Sequence, residues 1–206
     1  MDITPIQAGS PSDLALAHVF FLDPGHGWVT ANDCSGGKAV LFTTSSGGRT
    51  WARTSIEPST CSAGAGSTAV FTDQRHGWLV RLEPTGSSAS LQRTTDGGRT
   101  WSREQDFAWI TGLRFVDPLH GWLGGDLRGD TGLFETANGG RTWTPVPTPL
   151  ASCCTDGTAL FDAPTFLGEE RAVLPVTLRE ADRSVVAFDV TSDGGPRGAL
   201  PRRSRR

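Results

Sequence analysis

The stretch AVFTDQRHGWLVRLEPTGSSASLQRTTDGGRTW, residues 69–101, contains two short motifs that each occur three times in the chain. His-Gly-Trp begins at residues 26, 76 and 120, and Gly-Gly-Arg-Thr-Trp begins at residues 47, 97 and 139. An apolar run that ends in an aspartate precedes each His-Gly-Trp. Repetition of this kind is the sequence signature of a repeat architecture, so these motifs decide the fold.

The spacing of the motifs defines the repeating unit. The two tryptophans of one copy are 23 residues apart in the first two copies (28 to 51 and 78 to 101) and 21 apart in the third (122 to 143). The full period of 42 to 50 residues between corresponding tryptophans is the length of one four-stranded propeller blade. In the second copy, side-chain alternation and turn residues predict strands at about 69–73, 77–82, 90–95 and 99–103.

A fourth copy has lost part of both motifs. Residues 166–173 align with residues 115–122 but contain Arg-Ala-Val instead of His-Gly-Trp. Residues 191–195 align with residues 94–98, and no Thr-Trp follows them. We therefore predict an all-β fold, a β-propeller of four-stranded antiparallel blades, three intact and one partial, in an incomplete ring. The predicted single domain is residues 1–198, followed by a basic disordered tail at 199–206, and its blades cover 17–55, 67–104, 111–146 and 164–198.

Composition excludes several classes of protein. The 206 residues carry a net charge of −3, and four arginines lie in the last five residues, so the remainder carries −7 (−3 minus 4). An acidic body argues against a nucleic-acid partner. No segment approaches the ~20 apolar residues of a membrane span. The polar N-terminus does not resemble a secretory signal, and nothing in the sequence indicates a cofactor.

The second motif has the properties of a hairpin turn. Its glycines permit positive φ, and the short polar side chain before them can accept backbone N–H groups of its own turn. The tryptophan that follows packs a large area between sheets. We assign these structural roles to the residues before the glycines and to the tryptophans, which are Ser46, Asp96, Asn138 and Asp193, and Trp51, Trp101 and Trp143.

The first motif is expected to form the turn between the first and second strands of each blade. Three histidines suggest a metal site, but one histidine per blade spreads them apart, whereas an ion needs its ligands within about 2.1 Å. We therefore predict no metal site, and we interpret the preceding aspartates as turn formers. The structural residues of this turn are His26, Trp28, His76, Trp78, His120 and Trp122.

The second motif resembles the Asp-box, or BNR repeat, of sialidase-like propellers. Together the two motifs resemble the photosystem II stability/assembly factor-like family of the wider WD/YVTN-like group, over residues ~17–195. This resemblance implies a propeller of bacterial type whose relatives include factors that bind other proteins. Retaining sialidases use a tyrosine nucleophile, and this chain contains no tyrosine, which argues against that activity.

Antiparallel connectivity places both motif turns at one end of each blade and the irregular loops at the other. Binding usually occurs at loops on a rigid scaffold, so we expect it on the side of the irregular loops. Trp109, which lies in one of these loops, is interpreted either as a platform for a sugar or peptide or as a packing residue between blades. The expected loops are 32–38, 83–90 and 126–131 within blades, and 55–66, 104–110 and 145–164 between them. The candidate binding residues are Asp33, Glu83, Asp106, Trp109, Asp126, Arg128 and Asp130.

All four cysteines fall on this loop side. Cys34 and Cys61 are expected at the same end of one blade, so a disulfide between them is one hypothesis and two free thiols are the other. A disulfide would imply an extracytoplasmic location, which we favour slightly for this reason. A bond between the adjacent Cys153 and Cys154 would be strained, so these are expected to be free or bonded elsewhere.

These observations favour a non-catalytic propeller that binds or scaffolds an unidentified protein or glycan. The alternative is a glycoside hydrolase of sialidase-like type, with its paired carboxylates drawn from Asp106, Asp126 and Asp130. Closed propellers have about four to eight blades. A chain with three intact blades is therefore expected to be a truncated family member, or to self-associate through the apolar ends of an open ring. The alternative is a closed ring of four blades, in which residues ~3–10 supply the missing outer strand of the last blade.

Overall fold

The computed structural model describes residues 14–33, 38–56, 67–82, 88–148, 158–168, 171–179 and 184–191. All regular secondary structure in these residues is β, and the strands form four antiparallel sheets. The chain divides into two compact units, Met1–Asp106 and Phe107–Arg206. Nowhere in the described ranges does a helix have the length and apolar character needed to cross a membrane.

The first unit is built from two sheets, each with its four strands in sequence order. The first sheet consists of β1 (Leu14–Phe21), β2 (Gly27–Asp33), β3 (Lys38–Thr44) and β4 (Ala52–Ile56). The second consists of β5 (Ser67–Phe71), β6 (Gly77–Leu82), β7 (Ala89–Thr94) and β8 (Ser102–Phe107). His-Gly-Trp opens the second strand of each sheet, and Gly-Gly-Arg-Thr-Trp joins the third strand to the fourth. This is the blade that the motif spacing predicts.

The glycine of His-Gly-Trp lies under an aromatic ring. Gly27 pairs with Phe21 across β1 and β2, and a Cβ at Gly27 would come within 2.6 Å of the Phe21 ring. Gly77 pairs in the same way with Phe71 across β5 and β6, and a Cβ there would overlap the ring. Glycine is therefore required at this position because the phenylalanine occupies the space that any side chain would need.

The two sheets of the first unit meet through the motif aromatics. Phe71 stacks on Trp28, with ring centroids 3.8 Å apart and planes 10° apart. Leu41 and Leu79 are fully buried in the same core. Burial of side chains of this size stabilises the fold by roughly 1.5–3 kcal/mol each. The tryptophan of one blade thus packs on the phenylalanine of the next.

The second unit contains two further sheets. The third sheet consists of β9 (Trp109–Phe115), β10 (Gly121–Leu127), β11 (Asp130–Thr136) and β12 (Thr144–Val146). The fourth consists of β13 (Thr158–Phe161), β14 (Thr165–Phe166), β15 (Ala172–Arg179) and β16 (Ser184–Thr191). The residues buried between them are Trp122, Leu133, Val146, Phe161, Leu174 and Val176. Gly124 admits the backbone of β13, because a Cβ there would overlap the carbonyl of Phe161.

The fourth sheet is a partial blade. β13 and β14 both pair with β15 on the same side, so the first strand is interrupted at residues 162–164. β16 pairs with the other side of β15 as the third strand. None of the described residues forms a fourth strand beyond β16. The prediction of three intact blades and a partial fourth is therefore confirmed.

The register supports the alignment of the degenerate fourth copy. Ala172 pairs with Thr191, just as Gly121 pairs with Thr136 in the third sheet. The turn before Ala172 keeps its backbone hydrogen bond, which Leu167 N–H donates to the carbonyl of Arg171 over 2.7 Å. The turn geometry therefore survives the loss of His-Gly-Trp.

Three of the predicted loops are wrong, and one of them, the loop expected at 145–164, contains the strand β13 (Thr158–Phe161). β8 begins at Ser102 and continues to Phe107, and β9 begins at Trp109, so a single residue separates strands where a loop at 104–110 was expected. The segment 126–131 is a tight hairpin whose two central residues, Arg128 and Gly129, have φ of 58° and 91°. The loop at 104–110 was overestimated because the exposed outer strand β8 carries as many polar residues as a loop does, which hides its alternation. The loop at 126–131 was overestimated because its polar residues Asp126 and Asp130 lie at the ends of the paired strands β10 and β11.

Candidate ligand-binding site in the first unit

Each His-Gly-Trp turn is organised by the aspartate three residues before the histidine. Asp23 accepts hydrogen bonds from the N–H groups of Gly25 (2.7 Å) and His26 (2.9 Å), and one of its oxygens lies 2.9 Å from His26 Nδ1. Asp73–His76 and Asp117–His120 repeat this arrangement, with Nδ1 to carboxylate distances of 2.8 Å. The three aspartates are thus engaged within their own turns.

These contacts lower the pKa of the three aspartates. For Asp23 the largest cause is the hydrogen bond from the Gly25 N–H, which favours the charged carboxylate. For Asp73 and Asp117 partial burial acts to raise the pKa, but the N–H and imidazole hydrogen bonds together outweigh it. Each carboxylate is therefore ionised at neutral pH and unsuited to act as an acid.

The Gly-Gly-Arg-Thr-Trp turns are closed by the short polar residue before the glycines. Asp96 accepts the N–H groups of Arg99 and Thr100, both over 2.9 Å, and the hydroxyl of Thr100 over 2.6 Å. Asn138 and Ser46 each accept the equivalent threonine N–H, at 3.0 Å, in the other two blades. A carboxylate, an amide and a hydroxyl therefore perform the same task, since each offers one oxygen acceptor.

Partial burial acts to raise the pKa of Asp96, and the hydrogen bonds from Thr100, Thr94 and Arg99 overcome it, so the pKa falls to about 2. Asp96 is consequently a fixed negative charge at any physiological pH.

The two motifs of one blade hold each other in place. In all three blades the first glycine of Gly-Gly-Arg-Thr-Trp donates its N–H to a backbone carbonyl of the His-Gly-Trp turn. The pairs are Gly47 to Gly25 (2.9 Å), Gly97 to Arg75 (2.9 Å) and Gly139 to Leu119 (2.8 Å). Gly47 has φ of 66°, and a Cβ on it would lie 2.7 Å from the carbonyl of Pro24. The motifs occur together because each turn completes the backbone hydrogen bonds of the other.

A cavity of about 400 Å³ opens beside these turns, between the two sheets of the first unit. Its floor is Trp28, which is buried and donates from Nε1 to the carbonyl of Gly97 over 3.2 Å. Its walls combine apolar surface with hydroxyl, amide, imidazole and guanidinium groups, which are contributed by Thr43, Thr50, Thr54, Gln74, His26 and Arg99. Such a lining can donate and accept hydrogen bonds over a short distance.

Among the described residues that line this cavity, Asp96 is the only carboxylate. Its oxygens already accept turn hydrogen bonds, and its pKa of about 2 keeps it charged. The described lining can therefore hydrogen-bond a polar ligand, and its one carboxylate is ionised at neutral pH.

Of the candidate loop residues, the second unit brings Trp109 and Asp126 together as cross-strand partners. Asp126 is occupied within its hairpin, where it accepts the N–H of Gly129 (2.9 Å) and the hydroxyl of Thr131 (3.0 Å). Arg128 is exposed at the hairpin tip and Asp130 is exposed beside it. These residues form a solvent-facing hairpin end, and their role in binding stays a prediction.

The remaining candidates are dispersed or lie outside the description. Asp106 of the first unit is exposed and forms an ion pair with Arg103 over 2.7 Å. The backbone of Asp33 ends β2, and its side chain is not described. The residues that lie outside the described part of the chain are Cys34, Cys61, Glu83, Cys153, Cys154 and Asp193. The disulfide hypothesis is therefore untested.

Two features were not singled out from the sequence. The cavity lies at the motif end of the blades, because the motif turns and the third-strand hydroxyls of one sheet face the motif turns of the next. Glu135 was missed as well, and burial raises its pKa although nearby His120 acts to lower it. Glu135 pairs across the strands with Trp122 of the repeated motif, so its place in the repeat could have indicated that it lies beside a large aromatic side chain. No cluster of three metal-binding side chains occurs among the residues described.

Comparison with solved structures shows the fold. A GH74 enzyme from Niastella koreensis superposes with a TM-score of 0.56 at 13% identity, over 84% of this chain and 30% of that one. A GH74 xyloglucanase from Xanthomonas campestris superposes with a TM-score of 0.54 at 16% identity, over 82% of this chain and 28% of that one. Both are β-propeller proteins. This chain thus spans less than a third of their length.

No protein-family model and no curated protein sequence matches the chain. The β-propeller fold therefore rests on the four sheets and on these structural neighbours.

Proposed function

We propose that this chain is a non-catalytic binding protein that holds an uncharged, hydroxyl-rich ligand, a segment of polysaccharide, in the cavity of the first unit. The observation that carries the proposal is the lining of that cavity. Its described residues present hydroxyl, amide, imidazole and guanidinium groups and a single carboxylate, which is already engaged in its turn. Membership of the photosystem II stability/assembly factor-like family stays a prediction.

The size and chemistry of the cavity support a carbohydrate ligand. A volume of about 400 Å³ is within the range of small-molecule sites. The hydroxyls of Thr43, Thr50 and Thr54 both donate and accept hydrogen bonds, as the hydroxyls of a sugar do. Asp96 and Arg99 balance each other's charge, so a neutral ligand meets no net charge.

The same lining argues against hydrolysis in this cavity. Glycoside hydrolysis commonly requires two carboxyl groups, one of which is protonated and acts as the acid. The described residues of the cavity include one carboxylate, Asp96, and its pKa of about 2 leaves it without a proton at neutral pH. Binding without cleavage is the activity that these residues support.

The names of the structural neighbours suggest the first ligand to test. One is a xyloglucanase, so xyloglucan heads a panel of soluble polysaccharides to be titrated by calorimetry. Gln74→Ala removes an exposed lining amide whose Nε2 lies 3.4 Å from His26 Nδ1. We expect it to weaken binding roughly three- to tenfold, the worth of one hydrogen bond.

Gln105→Ala is the matched control, since Gln105 lies on β8 of the same unit and outside the cavity lining. Its affinity should equal that of the parent. Absence of binding to every polysaccharide of the panel, or equal loss in both variants, would reject the cavity as a carbohydrate site.

A glycoside hydrolase is the second candidate, because both structural neighbours are named as GH74 proteins, one of them a xyloglucanase. Within the described residues, Glu135 has the properties of an acid, since burial raises its pKa. Release of reducing sugar from xyloglucan that Glu135→Gln abolishes would favour this candidate over binding alone.

A further inference from the structure

The outer edge of β16 is open in the part of the chain that the structure describes. In the other three sheets the third strand pairs with a fourth, as β3 with β4, β7 with β8 and β11 with β12. β16 is the third strand of its sheet and pairs with β15 alone. Its eight residues therefore present a row of backbone N–H and C=O groups on one side.

β16 is also apolar where an edge strand is usually protected. Val186, Phe188 and Val190 lie on one face and are 59%, 63% and 56% exposed. The register places Phe188 at the position of Leu41 and Leu133, which are 0% and 3% exposed in their sheets. The strand contains no lysine or proline, the residues that commonly prevent pairing at an edge.

The outer strands of the intact sheets have the opposite character. β4 is mostly exposed and carries Arg53, and β8 is mostly exposed and carries Arg103 and Asp106. Charged side chains of this kind keep an edge soluble and unpaired. β16 has the composition of an interior strand at an exposed edge, so it is suited to receive another strand.

The sequence of β16 is nearly symmetric about Phe188. Val186-Ala187-Phe188-Asp189-Val190 places a valine two residues from Phe188 on either side, and its only charge is Asp189. An antiparallel partner of identical sequence, with Phe188 opposite Phe188, sets Val186 opposite Val190 and Ala187 opposite Asp189. Apolar residues then face each other, and no two carboxylates are direct partners.

We infer that β16 pairs with β16 of a second copy of this chain about a twofold axis at Phe188, which forms a dimer through one continuous antiparallel sheet. This axis is perpendicular to the sheet and keeps Val186, Phe188 and Val190 of both copies on the same face. The isologous arrangement is the commonest symmetry of homodimers. The inference is independent of the proposed function, because β16 belongs to the second unit.

Light scattering coupled to size-exclusion chromatography tests the dimer. The parent is expected at twice its monomer mass of 21.9 kDa. Phe188→Arg is expected to give a monomer, because two guanidinium groups would then face each other across the axis. Leu119→Arg is the matched control, since Leu119 is also exposed in the second unit but lies outside β16, and it should remain a dimer.

Engineered thiols test the register. Phe188→Cys should form an intermolecular disulfide under mild oxidation, because direct cross-strand partners have Cβ atoms about 4.5–5.5 Å apart. Val186→Cys should not, because the two copies of residue 186 are offset by four residues, about 13 Å. The native cysteines are present in both variants and in the parent, so the difference between them is the readout.

Several outcomes would overturn the inference. These are a parent that stays monomeric at all concentrations, a Phe188→Arg variant that stays dimeric, or equal crosslinking of the two cysteine variants. A monomeric parent would show that this edge does not pair with a second copy, as when another segment of the chain occupies it. If Phe188→Arg loses its cooperative thermal transition, Val186→Lys tests the same edge with a smaller change. A Val186→Lys variant that unfolds cooperatively and remains a dimer would reject the pairing.

Discussion

At the scale of single residues, two physical requirements decide which residue types the motif positions accept. One is the space that a neighbouring ring leaves, and the other is the need for a hydrogen-bond acceptor within the turn. The glycine of His-Gly-Trp is required by a phenylalanine ring, at Gly27, Gly77 and Gly121 alike. The acceptor before the second motif can be Ser46, Asp96 or Asn138, because only one oxygen is needed. Steric demand therefore fixes some positions strictly, whereas hydrogen bonding leaves others open.

Gly77→Ala is expected to destabilise the protein by about 2–3 kcal/mol, since its Cβ would overlap the ring of Phe71 in a packed core. Chemical denaturation measures the change. Gly132→Ala is the control, because nothing lies within 4 Å of its Cβ position. A loss of equal size in both variants would show that the ring contact is not the cause.

Arg128 has φ of 58° in the hairpin between β10 and β11, a conformation that costs most side chains about 1–2 kcal/mol. Arg128→Gly should therefore stabilise the protein by about 1 kcal/mol in thermal denaturation. Arg75→Gly, at an exposed residue outside this hairpin, should not stabilise. Destabilisation by Arg128→Gly would mean that the arginine side chain makes a contact worth more than the strain.

At the scale of elements, the unit of construction is the pair of turns at one end of a blade. Three glycine N–H groups cross from the second motif to the first, and this link explains why the motifs occur together. Thr94 stabilises the second of these turns. Its hydroxyl accepts a hydrogen bond from the N–H of Gly98 over 2.9 Å and donates one to Asp96 over 2.8 Å. Its counterpart Thr136 accepts the N–H of Gly140 over 3.0 Å.

Thr94→Val is expected to cost about 1–3 kcal/mol, because the buried N–H of Gly98 would lose its acceptor while the volume of the side chain hardly changes. Urea unfolding measures the loss. Thr95→Val makes the same substitution at the exposed neighbouring residue and should change stability by less than about 0.5 kcal/mol. Similar values for the two would argue against the turn hydrogen bond.

At the scale of the whole molecule, the repeated carboxylates couple stability to pH. The pKa values of Asp23, Asp73, Asp96 and Asp117 are all lower in the folded chain than their usual 3.8. Their contribution is therefore present above about pH 4 and is lost as the pH falls through the folded values, which reach about 2 for Asp96. Glu135, with its raised pKa, acts in the opposite direction over a higher range.

The melting temperature should accordingly fall between pH 4 and pH 2, a window set by these pKa values. Circular dichroism at intervals of pH measures it. Asp96→Asn keeps the turn acceptor, as Asn138 does, and removes the charge, so its melting temperature should change less than that of the parent near pH 2. An identical pH profile for the two proteins would contradict the role of Asp96.

The fold was predictable to the level of the blade, and the candidate site was not. The motifs gave the turn positions because Asp73, Gly77 and Gly97 act within a few residues of one another along the chain. The outer strand β8 was placed too early because its polar residues resemble a loop. The cavity beside Trp28 was missed because its lining comes from two sheets that only tertiary packing brings together.

The sequence by itself determined the repeat, the four-blade count and the partial fourth blade, since these depend on local turn chemistry and on spacing along the chain. Only the tertiary structure decided which end of the blades holds a cavity, how far the carboxylates are engaged, and that β16 has no partner on its outer side among the strands described. These properties depend on burial and on contacts between residues distant in sequence, such as Trp28 with Gly97. Distance along the chain does not record such contacts.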